Sequence, residues 1–235
     1  MMSIKQNNMH DDFFHWLNTW IASLPSQSLN QLGDSKKIAI VSVDMVVGFC
    51  HKGSLASDEV KSIIPNVVDV FKKAKKTGIQ HFLLVQDAHH HDATEFSAYP
   101  PHCVKGSDEA QTIPELQELP FAKQFTVIEK NSLSPAYETT FDIWIEMHPE
   151  VDTFIVLGDC TDLCIYSMAM HLRLFANALN KKRNIIVPAN AVATYNMTIE
   201  QAQKIGALPH PANLIHPLFL YHMTLNGIEV LKEIQ

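Results

Sequence analysis

The feature that most constrains the fold is a regular alternation of short apolar runs with longer amphipathic segments. The apolar runs have the length of strands and lie at residues 37–43, 80–85, 125–128, 153–157, 184–187 and 228–231. Segments with helical spacing of apolar residues separate them, at residues 58–76, 138–148, 162–179 and 211–226. Such alternation predicts βαβ units. We therefore expect an α/β protein of three layers, α/β/α, with a mostly parallel sheet of roughly six strands.

The first 35 residues differ from this pattern and predict an N-terminal helical extension. Apolar and aromatic residues recur there at helical spacing, at Phe13, Phe14, Trp16, Leu17, Trp20, Ile21 and Leu24. Pro25 and the polar run after it end the helix. We expect this helix to pack on the main domain or on a partner subunit. The predicted organisation is an extension over residues 1–35 and one domain over residues 36–235, a length that suits a single α/β domain.

Charge and composition exclude several classes of function. The net charge of −7 and the pI of about 6.0 do not fit a nucleic-acid-binding protein, which would carry a basic surface. The longest apolar runs are too short to cross a bilayer. The polar N-terminus lacks a signal peptide, and the four cysteines show no CxxC spacing. We expect a cytoplasmic enzyme with free thiols that acts on a small molecule and forms a homo-oligomer.

Reactive residues follow four of the predicted strands. Asp44 follows the first strand, Asp87 and His89 the second, Lys130 the third, and Cys164 lies a short turn beyond the fourth. Ligands of open α/β sheets bind at the carboxyl ends of the strands, where these residues converge. The sequence therefore predicts one cleft that contains a thiol, a carboxylate and an ammonium group.

Each of these residues also has an ordinary structural interpretation. Cys164 is predicted in the first helical turn, capped by Thr161, where the helix dipole favours a thiolate nucleophile; it could equally be a small core residue. Asp44 could be a general base or a turn cap. Lys130 could stabilise negative charge in the cleft or form a surface ion pair. Spacing alone leaves these alternatives open.

A histidine-rich loop after the second predicted strand suggests a metal site. Asp87 and His89 have i, i+2 spacing at the strand end, His102 follows two prolines, and Glu95 lies between them. Imidazole and carboxylate donors suit zinc, iron or manganese. His90 and His91 are competing ligands, and a polar surface loop is the alternative to a metal site.

Five segments of the chain match, in order, the motifs of one enzyme family. They are VDMVVGF at 43–49, QDAH at 86–89, YPPHC at 99–103, KN at 130–131 and GDCTDLC at 158–164. In these motifs the chain resembles the nicotinamidases, which belong to the isochorismatase-like cysteine hydrolases. The resemblance covers residues 36–231, and the YPPHC and GDCTDLC segments are specific to the family.

The resemblance implies a role for each matched residue. Cys164 would be the nucleophile, Asp44 the proton shuttle and Lys130 the third member of the triad. A cis peptide bond would precede Cys160, and the backbone N–H groups of Cys160 and Cys164 would form the oxyanion hole. The residues implied for binding are Asp87, His89, Glu95 and His102 for the metal, and Phe49 and Tyr99 for the walls of the substrate pocket.

The implied reaction is hydrolysis of nicotinamide to nicotinate and ammonia through a cysteine thioester, which would serve NAD salvage. A divalent metal, zinc with iron or manganese as alternatives, would orient the substrate. Tyr99 replaces the usual tryptophan, and Asp159 and Cys160 replace a small apolar pair, so the substrate stays open. Another small-amide, carbamoyl or ureido amidohydrolase of the superfamily and a catalytically silent metabolite-binding homologue are the alternatives.

Overall fold

A parallel sheet of seven strands forms the centre of the molecule. The computed structural model describes residues 2–235, and their side chains from residue 9 onward. The strands are β1 (Ile38–Val43), β2 (His81–Asp87), β3 (Phe125–Lys130), β4 (Thr153–Asp159), β5 (Asn184–Pro188), β6 (Val192–Ala193) and β7 (Glu229–Leu231). Their order is β3-β2-β1-β4-β5-β7, with β6 paired to β4, and all these pairings are parallel. The predicted parallel α/β sheet is confirmed, with the two-residue β6 as an addition.

The strand order places a crevice beside the two central strands. The chain builds β1, β2 and β3 outward in one direction and then returns to place β4 on the other side of β1. Ligands of open α/β sheets bind where the strand order reverses in this way. Every residue of β1 and β4 is buried, so these strands form a rigid base for side chains at their carboxyl ends.

Helices cover the sheet, and they include every predicted helical segment and three further helices. They are α1 (Met2–Ala22), α2 (Val47–Cys50), α3 (Asp58–Ser62), α4 (Ile64–Lys76), α5 (Pro114–Gln117), α6 (Phe141–Met147), α7 (Cys164–Ala178), α8 (Ile199–Ile205) and α9 (Ala212–Leu225).

The predicted helix at 58–76 is two helices, because the ring of Pro65 would clash with the preceding turn of a continuous helix. The helix predicted from Glu138 begins at Phe141, since Glu138 has a left-handed backbone with φ of 55°. Helix α8 was not predicted, although Thr198 and Gln201 form a capping box at its start.

The N-terminal helix packs on the body of the protein. The rings of Phe13, Trp16 and Trp20 surround Tyr221 of α9, with centroid distances of 5.6, 5.3 and 5.8 Å. The predicted helix is therefore present, while the division into residues 1–35 and 36–235 stays a prediction. None of the helices among residues 2–235 is both long and apolar enough to cross a membrane.

Candidate active site

Asp44 is fixed at the carboxyl end of β1 by an unusual backbone conformation. Its φ of 53° is left-handed, and its N–H group donates a hydrogen bond to the carbonyl of Val85 (2.9 Å). Its carboxylate Oδ1 accepts a hydrogen bond from the N–H of Asp87 (2.7 Å), so the side chain is held over the end of β2. The neighbouring strand is also constrained, because a Cβ at Gly158 would lie only 2.0 Å from the carbonyl oxygen of Val43.

A buried lysine joins the residues at the ends of three strands. Nζ of Lys130 lies 2.8 Å from Oδ2 of Asp44 and 3.5 Å from Sγ of Cys164, and it also donates a hydrogen bond to Asp87. Ligand atoms of Asp44, Asp87 and Cys164 all lie within 4.8 Å of one another. The structure therefore brings together the thiol, carboxylate and ammonium group that the sequence places at separate strand ends. Their catalytic roles stay predictions.

Burial and charge set the protonation of this group. Burial and the charge of Asp87 raise the pKa of Asp44 to about 6, although Lys130 opposes the shift. Burial would lower the pKa of Lys130, but the carboxylates of Asp44 and Asp87 raise it well above its usual value. Burial also raises the pKa of Cys164 well above that of a free thiol, although Lys130 opposes it. At neutral pH the arrangement is a thiol, an ammonium and a largely ionised carboxylate.

The turn that carries Cys164 differs from the sequence prediction in two ways. Helix α7 begins at Cys164, with Leu163 at its N-cap, so Thr161 does not cap it. Burial of the 5% exposed thiol also opposes the thiolate that the helix dipole favours, because desolvation raises the pKa of Cys164. A base that removes the proton of Cys164 is therefore needed beside it, and Asp44 is in that position.

Two free backbone N–H groups beside Cys164 indicate a site for an oxyanion. The peptide bond between Asp159 and Cys160 is cis, as the resemblance implies. In the described part of the chain, the N–H groups of Cys160 and Cys164 donate to no backbone carbonyl, and a helix leaves its first N–H groups free. Paired free N–H groups beside a nucleophile can stabilise a tetrahedral intermediate.

Three of the predicted metal ligands converge in one buried group. Asp87, His89 and His102 each offer a ligand atom, and these atoms lie within 4.8 Å of one another. Nε2 of His89 is 3.3 Å and Nε2 of His102 is 3.7 Å from Oδ2 of Asp87. The other nitrogen of His102 lies 2.8 Å from the carbonyl of Pro100, a contact that orients the ring. This group can hold a divalent metal.

Unsatisfied polar atoms show that a cation fits this group. Both ring nitrogens of His89 are buried, and neither makes a well-formed hydrogen bond in residues 2–235 with side chains described from residue 9, since Nε2 has only the 3.3 Å contact with Asp87. Oε1 of Glu95 is likewise buried without a partner in that range and lies 3.9 Å from Nε2 of His89. Buried polar atoms are rarely left unpaired, and a cation between these donors would satisfy them. The nitrogen and oxygen donors suit zinc, iron or manganese.

The competing candidate ligands, His90 and His91, lie outside the buried group of Asp87, His89 and His102. The side chain of His91 is 88% exposed and pairs with Asp92. His90 is also exposed, and its N–H donates to Oδ1 of Asn131 (2.8 Å), which ties the loop to the end of β3. Glu95 lies outside the tight group of three, and its other oxygen accepts a hydrogen bond from the N–H of Leu133 (3.2 Å). A ligand role for Glu95 stays a prediction.

Aromatic side chains flank the three candidate ligands. The ring centroids of Phe49 and Tyr99 lie 5.5 and 6.3 Å from that of His102. Phe96, which the sequence did not single out, lies 5.6 Å from His102 and 5.4 Å from His89. Its position in a short 3-10 helix of the loop gave no periodic signal. These rings form an apolar border suited to a flat substrate.

Asp159 is a buried acid that the sequence marked only as a departure from the family. It is 1% exposed, and its Oδ2 has no hydrogen-bond partner in the described chain. Burial and the charges of Asp44 and Asp87 raise its pKa well above the usual value. Burial and these two charges thus favour the neutral form of the side chain in the folded protein.

Replacing Asp159 by asparagine is expected to stabilise the protein more at pH 8 than at pH 5. The acid has a higher pKa in the folded than in the unfolded chain, so its stabilising effect is full below the unfolded pKa and is lost as pH rises through the folded pKa. Asparagine does not titrate, so its contribution to stability does not fall as the pH rises. Thermal unfolding at the two pH values measures this difference, because a change of 1 kcal/mol in unfolding free energy shifts Tm by about 2–4 °C. An equal Tm difference at both pH values would contradict it.

Comparison with known proteins agrees with this geometry. The family model described as Isochorismatase domain matches residues 38–213. Nicotinamidase 1 of Arabidopsis thaliana is 27% identical over 240 residues, which cover 96% of this chain and 97% of that protein. The N-carbamoylsarcosine amidase structure from Thermoplasma acidophilum is 27% identical, with a TM-score of 0.62, over 85% of this chain and 99% of that chain. A pyrazinamidase from Pyrococcus horikoshii, solved in complex with zinc, shares the fold at 21% identity and a TM-score of 0.61, over 83% of this chain and 98% of that chain.

The parallel sheet, with a thiol, a carboxylate and an ammonium group buried together at the ends of its strands, defines an α/β protein with a candidate active site centred on a cysteine. Because the family model matches most of the sequence, the chain belongs to the Isochorismatase domain family, as the motifs predicted. It is an isochorismatase-like amidohydrolase.

Proposed function

We propose that the enzyme hydrolyses nicotinamide to nicotinate and ammonia through a thioester on Cys164. The observation that carries this proposal is the contact of Lys130 with both Asp44 and Cys164, directly beside the buried group of Asp87, His89 and His102. The first set suits amide cleavage, and the second suits recognition of a heteroaromatic ring that bears a nitrogen donor. The similarity to a plant nicotinamidase over nearly the whole chain supports the same substrate.

Asp44 serves as the base in the first step. Its pKa of about 6 leaves it mostly ionised at pH 7, while Cys164 is still a thiol. Asp44 removes the proton as the sulfur attacks the amide carbon, so no stable thiolate is needed beforehand. Lys130 compensates the negative charge on both partners throughout this transfer.

The tetrahedral intermediate is stabilised by backbone N–H groups. Its oxyanion lies near the N–H groups of Cys160 and Cys164, a contribution worth roughly 3 kcal/mol per donor in other enzymes. Asp44 then returns the proton to the departing nitrogen, and the carbon–nitrogen bond breaks. Ammonia leaves, and the acyl group remains on sulfur as a thioester.

Water completes the cycle. Asp44, again ionised, removes a proton from water as its oxygen attacks the thioester carbon, and the carbon–sulfur bond then breaks. The sulfur regains its proton from Asp44, and the acid product loses its own proton to solvent and is released as nicotinate. Asp87, His89 and His102, with Glu95 as a further candidate, would hold a divalent metal, of which zinc is the proposed identity. When bound, this metal supplies Lewis acidity toward a donor atom of the substrate.

The aromatic residues orient the substrate in this scheme. Phe49, Phe96 and Tyr99 border the histidine ligands and would contact the faces and edges of a planar ring that enters the site. Tyr99 adds a hydroxyl group where the family has an indole. Flat molecules that carry both a ring nitrogen and a carboxamide, as nicotinamide does, are thus the favoured substrates.

An ammonia-release assay with nicotinamide tests this function. We expect ammonia and nicotinate in equal amounts, with turnover absent when benzamide, which lacks the ring nitrogen, is supplied at the same concentration. The comparison substrate is N-carbamoylsarcosine, because an amidase for it is similar in sequence and structure. Ammonia from N-carbamoylsarcosine but not from nicotinamide would assign the enzyme to carbamoyl hydrolysis. Failure of Cys164 to react with iodoacetamide, together with no turnover of either compound, would indicate a silent homologue.

The metal site gives an independent prediction. Purified protein is expected to contain about one equivalent of divalent metal, and His89→Asn is expected to lose most of it, because the buried imidazole is a ligand. His91→Asn is the matched control, since this exposed histidine lies in the same loop and should leave metal content unchanged. Elemental analysis after gel filtration measures both. Equal metal content in the two variants would contradict the assignment.

The cellular role follows from the products. Release of nicotinate from nicotinamide would supply pyridine nucleotide synthesis and thus NAD salvage. The cytoplasmic location and the homo-oligomeric state expected from the sequence remain parts of this proposal.

A further inference from the structure

The short turn between Cys160 and Cys164 needs external support. In the proposed mechanism it must keep the N–H groups of Cys160 and Cys164 directed at one oxyanion. Thr161 is fully buried within it, and its N–H donates to the carbonyl of Ala193 (2.9 Å). The N–H groups of Leu163 and Ile165 both donate to the carbonyl of Cys160 (3.1 Å each). These bonds leave the side chains of Thr161 and Asp162 free to bond other elements.

A histidine of α9 contacts the first of these side chains. Nδ1 of His216 lies 2.8 Å from Oγ1 of Thr161. Burial lowers the pKa of His216 to about 4, so its ring is neutral at physiological pH and forms a hydrogen bond without adding a charge. A neutral histidine can therefore hold the turn beside the oxyanion site without changing the electrostatic potential at Asp44.

A second histidine contacts the next residue of the turn. Nε2 of His210 lies 2.9 Å from Oδ2 of Asp162, and its Nδ1 lies 2.8 Å from the carbonyl of Tyr195. The other oxygen of Asp162 accepts a hydrogen bond from the hydroxyl of Thr194. Paired backbone hydrogen bonds between Met197 and His210 (2.8 Å each) close the excursion that contains α8. The turn is therefore bonded to the region around both ends of this excursion.

We propose that His216 and His210 are positioning residues that hold Thr161 and Asp162, and through them the N–H groups of Cys160 and Cys164, in the geometry needed to bind the oxyanion. This inference rests on the proposed amide hydrolysis and adds two residues from the C-terminal part of the chain. Neither histidine contacts Asp44, Lys130 or Cys164 in the hydrogen bonds and ion pairs of the described residues.

The expected effect is on kcat rather than on substrate binding. Displacement of a catalytic group by about 1 Å can cost about 100-fold in rate, so His216→Leu should lower kcat by about 10- to 100-fold. KM should change less than about threefold, because the oxyanion contacts strengthen only in the transition state. His210→Leu should act in the same direction.

Conservative variants separate positioning from general stability. His216→Asn places an amide atom near the position of Nδ1, and His210→Gln places one near the position of Nε2, so each can restore the bond to the turn. We expect kcat of these variants to recover to within about fivefold of the wild type if one hydrogen bond is what matters. His222→Leu is the control, since His222 lies on the same helix but bonds Tyr166 and Asn226.

Hydrogen exchange of the turn provides a readout that does not depend on turnover. A peptide covering residues 158–164, which excludes the His222 contact Tyr166, should exchange about three- to tenfold faster in His216→Leu than in the wild type or His222→Leu. If nicotinamide is not a substrate, the wild type releases no ammonia, yet this exchange measurement still decides the positioning role. Unchanged exchange and unchanged kcat in His216→Leu, or equal loss of kcat in His216→Asn and His216→Leu, would overturn the proposal.

Discussion

Replacing Cys164 by alanine should reduce kcat for amide hydrolysis by about 10⁴-fold or more, the order seen when an enzyme loses its nucleophile. The thiol is the acceptor of the acyl group, so alanine leaves only direct attack by water. The fold should change little, because the residue is small and alanine fills most of its volume in the first turn of α7. Steady-state ammonia release and metal analysis measure the two effects separately.

A matched variant at another buried thiol controls for loss of packing. Cys50→Ala removes a thiol from α2 that is 1% exposed and forms no part of the proposed chemistry. It should lose some stability and keep activity within about threefold of the wild type, as packing changes away from a reacting centre usually do. Near-normal turnover in Cys164→Ala would show that the covalent mechanism is wrong.

Lys130→Met should greatly lower the activity and destabilise the fold at the same time. Methionine keeps the length of the side chain but leaves Asp44 and Asp87 buried together without their cation. Removal of one partner of a buried ion pair costs about 3–5 kcal/mol of unfolding free energy. Part of this cost is relieved when Asp44 binds a proton, and that proton removes the base, so kcat/KM should fall by about 100-fold or more.

The control for Lys130 is a lysine in an exposed ion pair. Lys105 pairs with Glu129 at the surface, with both side chains at least half exposed. Lys105→Met should change the unfolding free energy by less than about 1 kcal/mol and leave turnover unaffected. Urea unfolding and the ammonia assay compare the two variants. Equal unfolding free energies of Lys130→Met and Lys105→Met would contradict the role of Lys130 as the cation that stabilises the buried carboxylates.

The sequence predicts the sheet well because of how the central strands are buried. In β1 and β4 both faces are covered, so each appears as an unbroken apolar run. The edge strand β3 was predicted to end at Ile128 but continues to Lys130. Its last residues are charged, and only the ion pairs made in the folded structure allow Lys130 to be buried. Strand β6, two residues long, is too short to give any pattern.

The positions of the candidate active-site residues were predictable from topology, but their protonation was not. Parallel strands bring their carboxyl ends together, so Asp44, Asp87 and Lys130 had to approach one another. The charge state of Cys164 depends on how completely it is desolvated, which local spacing does not specify.

Contacts between segments that are distant in the chain could not be predicted from the sequence either. Thr161 was predicted to cap α7, since its type and position suit a cap, yet its hydroxyl bonds His216, which is 55 residues away. The choice between His89, His90 and His91 likewise depended on which side chains the loop turns inward.

The nucleophilic role of Cys164 is tested most directly by mass spectrometry of enzyme quenched in acid during the first turnover of nicotinamide. The mechanism predicts a nicotinoyl group on the peptide that contains Cys164, which forms at the rate of the first ammonia release and disappears as nicotinate accumulates. Ammonia release during that turnover with Cys164 unmodified at every time point, or an acyl group on Cys160 instead, would contradict it.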